Sequence, residues 1–170
     1  MNISPKVQLE EFQDRNDVIL EDGIIQNVNE DTIFELIRDI KDPEHSYSLE
    51  QLCVVRKDLI KFYQLGDDKD ISGPIECILI EFEPTIPHCS MAAIIGLTIK
   101  VLLDRFINGY YITVSILEGS HVNEKLLNKQ LKDKDRIQAA SENISLMEII
   151  EECIDKIRNR LENIDKRKVK

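Results

Sequence analysis

The chain has 170 residues, 42% of them hydrophobic, which is enough for one domain with a real core. Its formal net charge is -10, and its one basic cluster is the terminal run Lys166-Arg167-Lys168-Val169-Lys170, so nucleic acid is excluded as a main partner because phosphate binding needs clustered Lys and Arg. No apolar run reaches the roughly 18 residues of a membrane span, and the polar, acidic N-terminus has neither a signal peptide's apolar core nor a transit peptide's Arg-rich pattern.

Residues 1–30 lack sustained periodicity and read as a flexible acidic leader with a short strand at Val18–Leu20. Thr32-Ile33-Phe34-Glu35 has the spacing of a capping box, and Ile33, Leu36, Ile37 and Ile40 then recur on one helical face. Pro43 predicts a stop near Lys41. Leu52–Val55 and Leu59–Tyr63 read as extended, residues 66–70 as a turn, and Ile75–Phe82 as a strand. Met91–Ile107 is apolar around most of its circumference and predicts a largely buried helix, ended by Asn108-Gly109. Tyr110–Leu117 alternates as a strand, and Val122–Ser141 is helical with a break near Asp133. Ser145-Leu146-Met147-Glu148 repeats the capping-box spacing. It opens a last helix whose Ile150, Ile154, Ile157, Leu161 and Ile164 form a coiled-coil-like seam, docked either on its own domain or on a partner chain.

The order α-β-β-α-β-α-α makes this an α/β (α+β) protein, a single small domain with a mixed three- to four-stranded sheet and packed helices. The strand–helix–strand step across residues 75–117 predicts a crossover that leaves its two strands parallel. The expected divisions are a leader at 1–30, the α/β domain at 31–143, and an amphipathic helix with a basic tail at 144–170.

Chemistry concentrates at Pro84-Thr85-Ile86-Pro87-His88-Cys89-Ser90-Met91, between a strand and the buried helix. A helix N-terminus offers unpartnered N–H groups and partial positive charge, both of which favour a thiolate. Equally, a free Cys at such a place is often a small buried apolar residue. The four cysteines, Cys53, Cys77, Cys89 and Cys153, are irregularly spaced without C-x-x-C, which indicates neither a disulfide framework nor a zinc ribbon and fits a reducing compartment. His45, His88 and His121 each lie in a loop beside a helix or strand, with Asp42 and Glu44 next to His45. Loops at the carboxyl ends of α/β strands converge on one crevice, so His88 and His121 are expected near Cys89. Such a set admits a thiol nucleophile with a histidine base, or a metal site drawing on Cys89 and His121.

Three blocks carry a resemblance. The first is Phe34-Glu35-Leu36-Ile37-Arg38 with Asp42-Pro43-Glu44-His45, Leu49-Glu50-Gln51-Leu52 and Val54-Val55. The second is Pro84 to Ala92 followed by Ile95-Gly96-Leu97. The third is Gly119-Ser120-His121 with Asn128-Lys129-Gln130-Leu131, Asp133-Lys134-Asp135-Arg136 and Glu142-Asn143. In order and spacing, over residues 31–153, they resemble the MIP-eighteen-like family, the eukaryotic branch of a small-domain family that serves cytosolic iron–sulfur protein assembly. Ser46, Cys53 and Ser141 depart from the family's usual residues.

The resemblance implies a non-enzymatic adaptor of the cytosolic iron–sulfur targeting complex, linked to chromosome segregation and DNA maintenance. It would join a WD-repeat propeller subunit and a large helical-repeat scaffold and meet Fe–S apo-protein clients in the cytoplasm and nucleus, with a homodimer conceivable. It implies that Cys89 is the functional thiol, with Asp42, Glu44, His45, Thr85, Pro87, His88 and His121 around it. Asn128, Lys129, Gln130 and Arg136 become a candidate partner face. No tightly bound cofactor is implied, only a transient Fe–S cluster or metal.

Overall fold

The computed structural model describes residues 7, 15–66, 73–89 and 91–168, without the side chains of residues 157 and 160–168. The expected turn at 66–70 therefore lies, beyond Gly66, outside the described residues.

The chain enters through a hairpin, β1 (Leu20–Glu21) paired antiparallel with β2 (Ile24–Ile25). Asp22 and Gly23 both have positive φ, 50° and 80°, the geometry of a two-residue hairpin turn. Val18 and Ile25 are buried, and Arg15 binds both carboxylate oxygens of Asp39 at 2.7 and 2.9 Å. Residues 15–30 are thus folded onto the domain rather than a free leader, and the strand lies at Leu20–Glu21, beyond the expected Val18–Leu20.

Helix α1 (Glu30–Ile37) is capped by Asn29, not Thr32. The Asn29 side chain accepts the Thr32 N–H at 2.9 Å, and Thr32 Oγ1 accepts the Asn29 N–H at 3.0 Å. Thr32 is the answering member of the box, which frees Glu35 to turn inward. The helix ends at Ile37, short of Lys41, because the next carbonyls are taken from outside. Arg38 O accepts the Glu50 N–H at 3.3 Å and Ile40 O the Leu49 N–H at 2.9 Å.

Arg38 is fully buried. It forks onto Glu50 (Nε–Oε2 2.9 Å, Nη2–Oε1 2.6 Å), reaches Glu35 with Nη1 at 2.6 Å, and lies 5.0 Å from the Phe34 ring centroid. Leu52–Val55, read as extended, is a tight turn. Cys53 N–H bonds Glu50 O and Val54 N–H bonds Leu49 O, with Cys53 at φ 55°, a left-handed conformation better suited to Gly or Asn.

The main sheet has the order β3 (Ile60–Leu65), β4 (Ile75–Phe82), β5 (Tyr111–Ile116). The β3–β4 pair is antiparallel and the β4–β5 pair parallel. The parallel pair is joined by α2 (Ala92–Phe106), the buried helix the sequence predicts. Ile78, Ile80 and Phe82 of β4 and Ile112, Val114 and Ile116 of β5 form one buried row. Gly96 lets the helix after β5 come close, since a Cβ there would stand 2.7 Å from a Leu131 methyl carbon and 3.1 Å from the Phe82 ring.

Helices α3 (Glu124–Leu131) and α4 (Lys134–Glu142) break where expected, with Asp133 accepting the N–H groups of Asp135 and Arg136. The last helix, α5 (Ile144–Lys168), is capped by Asn143, whose Oδ1 accepts the Leu146 N–H at 3.0 Å, so the box expected at Ser145 is not used. Of the seam, Ile150 and Ile154 are buried on the domain together with Leu146 and Cys153. The side chains of Ile157, Leu161 and Ile164 lie outside the description. No helix among the described residues is long and apolar enough to cross a membrane.

Candidate functional site

The strand β4 delivers the chain to Pro84, and the loop 84–89 turns it into α2. The turn is closed by the Cys89 N–H on Ile86 O at 3.1 Å. Among the described residues no side-chain oxygen caps α2. Instead the Cys89 sulfur is the acceptor toward the backbone N–H groups of Met91 and Ala92. The arrangement is the one the sequence suggests, a thiol at a helix N-terminus, yet its acidity runs the other way. Cys89 is only 4% exposed. Burial pushes its thiol up, the two N–H groups offset this in part, and the charges of Glu44 and Asp42 push it further up. At neutral pH the group is a protonated, sheltered thiol rather than a ready thiolate.

The Asp42 carboxylate is buried and organises its own loop. Its Oδ1 accepts the N–H groups of Glu44 (2.8 Å) and His45 (2.9 Å) and meets His45 Nδ1 at 2.9 Å. The Asp42 N–H bonds Tyr47 O at 3.0 Å. His45 is therefore a neighbour of Asp42, while Glu44 is exposed near the thiol.

His121 closes the other side. Its Nδ1 accepts the Asn123 N–H at 3.0 Å, so the ring carries its hydrogen on Nε2, which donates to the Cys89 carbonyl at 3.1 Å. The Val122 N–H bonds Pro87 O at 3.0 Å and pins the two loops together. Both His121 nitrogens are engaged, which leaves neither to act as base for Cys89 or to ligate a metal. His88 and Pro87 are exposed and Thr85 is half-buried. Among the described residues no group of three His, Cys, Asp or Glu stands close enough to hold a metal ion. Asp42 and Glu44 thus act on the Cys89 thiol by charge and His121 holds the Cys89 carbonyl, with His45 on Asp42, while His88 is exposed.

The expected partner face splits. Asn128 is spent internally. Its Oδ1 accepts the Ile116 N–H at 2.7 Å and its Nδ2 donates to Ile116 O at 3.3 Å, so the carboxamide stands where a neighbouring strand would. Lys129 and Arg136 are exposed and Gln130 is half-buried. The buried Glu35–Arg38–Glu50 ion cluster was not anticipated, although Glu35 and Arg38 at helical i, i+3 spacing carry the signal.

The electrostatics give a direct prediction. Carbamidomethylation of Cys89 by iodoacetamide is slow near neutral pH, and its rate climbs with a midpoint above the ordinary thiol value of 9.0. Glu44→Gln removes one of the charges that raise it without touching the core. At low ionic strength it speeds labelling at pH 7.5 by roughly two- to threefold, since a full pKa unit is about tenfold in thiolate and exposed charges are screened. An unchanged rate there would show that the Glu44 charge does not reach the sulfur.

No family model matches the chain. Curated proteins do match. Over 123 residues it is 49% identical to a MIP18 family protein of Caenorhabditis elegans, covering 72% of each chain. It is 48% identical over 123 residues to the MIP18 family protein galla-2 of Drosophila melanogaster, covering 72% of this chain and 73% of that one. Over 123 residues it is 45% identical to cytosolic iron-sulfur assembly component 2B of Mus musculus, covering 72% of this chain and 70% of that one.

Proposed function

The chain belongs to the MIP18 family, and from that premise we propose that it acts in cytosolic iron–sulfur protein assembly as a non-enzymatic adaptor. The observation that carries this reading is its 45% identity over 123 residues to a mouse protein named as a component of that assembly. The adaptor joins a WD-repeat propeller subunit and a large helical-repeat scaffold and presents Fe–S clients in the cytosol and nucleus, among them proteins of DNA maintenance and chromosome segregation. Cys89 is its functional thiol. The cluster is cargo rather than a resident cofactor.

The site supports a handling role more than turnover. A catalytic thiol needs a base in reach and a pKa near the working pH. Here the near histidine is committed to Cys89 O and Asn123 N–H, and the thiol is held protonated. A buried neutral thiol resists oxidation and stray metals in the free chain, since the thiolate is the reactive form. It gains reactivity when a partner changes its surroundings.

Affinity purification of the tagged chain from a eukaryotic cytosol tests the reading. The propeller and the helical-repeat scaffold are expected to co-purify with the folded chain, along with client apo-proteins. Recovery of neither scaffold component under conditions where the chain is folded would overturn it.

A further inference from the structure

Beside the Cys89 loop, the helices α2, α4 and α5 leave a groove with a cavity of about 400 Å³. Its floor is apolar, with Ile94 and Leu97 of α2 facing Ala139 of α4 and Ile149 of α5. At one end it meets the functional site through Met91, whose N–H faces the Cys89 sulfur, and through Pro43, the neighbour of Asp42. We propose that this groove is the docking site for an acidic amphipathic helix of a partner protein, whose apolar side chains enter the cavity and whose carboxylate pairs with Arg136.

Two observations select that occupant. The first is charge. In a chain with 32 Asp and Glu residues, none of the described residues lining the groove is acidic. Its polar lining consists of Arg136, Asn143 and Ser145. Among the described residues no carboxylate pairs with the Arg136 guanidinium, although other arginines there are paired, from Arg15–Asp39 to Arg158–Asp155. Asn143 uses Oδ1 to accept the Leu146 N–H, so the free capacity of its carboxamide includes the NH₂ donors. A rim of donors on an apolar floor, within an acidic molecule, is complementary to an apolar body that carries an anion.

The second observation is the nature of the walls. All three are helices, so the groove offers side chains and no open strand edge. An extended segment laid there would bury its N–H and C=O groups against Ile, Leu, Met and Ala without partners. A helix satisfies its own backbone and seats its side-chain ridge between those of the walls. The inference rests on the adaptor reading only for the identity of the partner; the groove's preference is a property of this chain alone.

The test is a fluorescence-anisotropy titration of the purified full chain with a panel of stapled amphipathic helices. Each has a Leu stripe at i, i+3, i+4 and i+7 and one Glu at a different position beside it. At least one member is expected to bind saturably. Its affinity falls about fivefold or more with Arg136→Gln or with Glu→Gln in the peptide, and Arg136→Lys recovers part of it. Ala139→Trp fills the cavity from an exposed position and abolishes binding, and Ser145→Trp does the same from the opposite wall, so misfolding of either variant leaves the other to decide. Circular dichroism confirms that the variants are folded.

Binding by no panel member overturns the proposal, as does binding that both Trp variants leave intact. Equal affinity for the Glu and Gln peptides overturns the carboxylate pairing. Self-association of the chain that Ala139→Trp abolishes assigns the groove to a second copy instead, and occupancy by dodecanoate without any helix binding assigns it to a small amphiphile. Because the titration contains no scaffold or client, its failure is distinct from a failure of the adaptor reading, which co-purification reports.

Discussion

Replacing Arg38 by Leu lowers the unfolding free energy by about 3–5 kcal/mol, the range for stripping one partner from a buried ion pair. Three carboxylate contacts vanish together, two on Glu50 and one on Glu35. Glu50 keeps some access to water, but the Glu35 side chain is fully buried, with Arg15 at 3.3 Å and the Asn16 N–H at 3.2 Å among its other partners. Loss of the 2.6 Å contact to a fully buried carboxylate dominates the cost, so Arg38→Leu combined with Glu35→Met recovers a large part of it, and Glu50→Gln alone costs less than Arg38→Leu. Urea unfolding followed by circular dichroism measures all three. If Arg38→Leu moved the stability by less than about 1 kcal/mol, the size of an exposed pair, the cluster would not be acting as a buried one. Since Arg38 also ties α1 to the turn at 49–55, the same variant loosens the segment that carries Asp42 to the thiol.

On the proposed adaptor role, replacing Cys89 by Ala is expected to drop the activity of cytosolic Fe–S enzymes in cells toward background while the chain still co-purifies with the proposed scaffold. Two roles converge on this sulfur, thiol chemistry and acceptance of the Met91 and Ala92 N–H groups at the start of α2. Serine separates them. Its hydroxyl oxygen accepts the same N–H groups, so Cys89→Ser keeps the melting temperature close to that of the native chain, whereas Ala loses the acceptor and costs about 1 kcal/mol. If delivery follows the thiol, Ser and Ala are equally defective. If Ser restored delivery along with stability, the sulfur would be a helix cap and its chemistry incidental.

Regular periodicity was legible. The bounds of β4 read directly from Ile75–Phe82, α2 lies one residue inside each end of its predicted run, and Asp133 marked the break between two helices because its side chain is a strong N-cap. The misplaced starts share a cause. Thr32 and Ser145 each head a capping-box pattern, but Asn29 and Asn143 stand upstream with side-chain oxygens that accept the Thr32 and Leu146 N–H groups, and the upstream acceptor took the helix. The hairpin was announced by Asp22-Gly23, a strong short-range turn signal, and was missed because its strands are two residues each.

At the site, the thiol's place at the head of α2 and the convergence of Asp42, Glu44 and His121 could be anticipated. The thiol's acidity could not be, because the helix terminus is a local feature while burial and the acidic loop arrive from distant sequence. The groove was equally invisible. Met91 and Leu97 read as part of a helix apolar around most of its circumference until the packing of three helices leaves a space beside them.

The carboxamide of Asn128 has a consequence for how copies of this molecule can meet. A sheet grows without limit only if every added unit exposes a fresh pair of free margins. Here Asn128 occupies both the N–H and the C=O of Ile116, the last residue of β5, so a strand from another copy cannot pair along the full length of that margin. One amide group thus shortens the register open to an incoming strand at β5, and the full-length margin for joining copies is the one at β3.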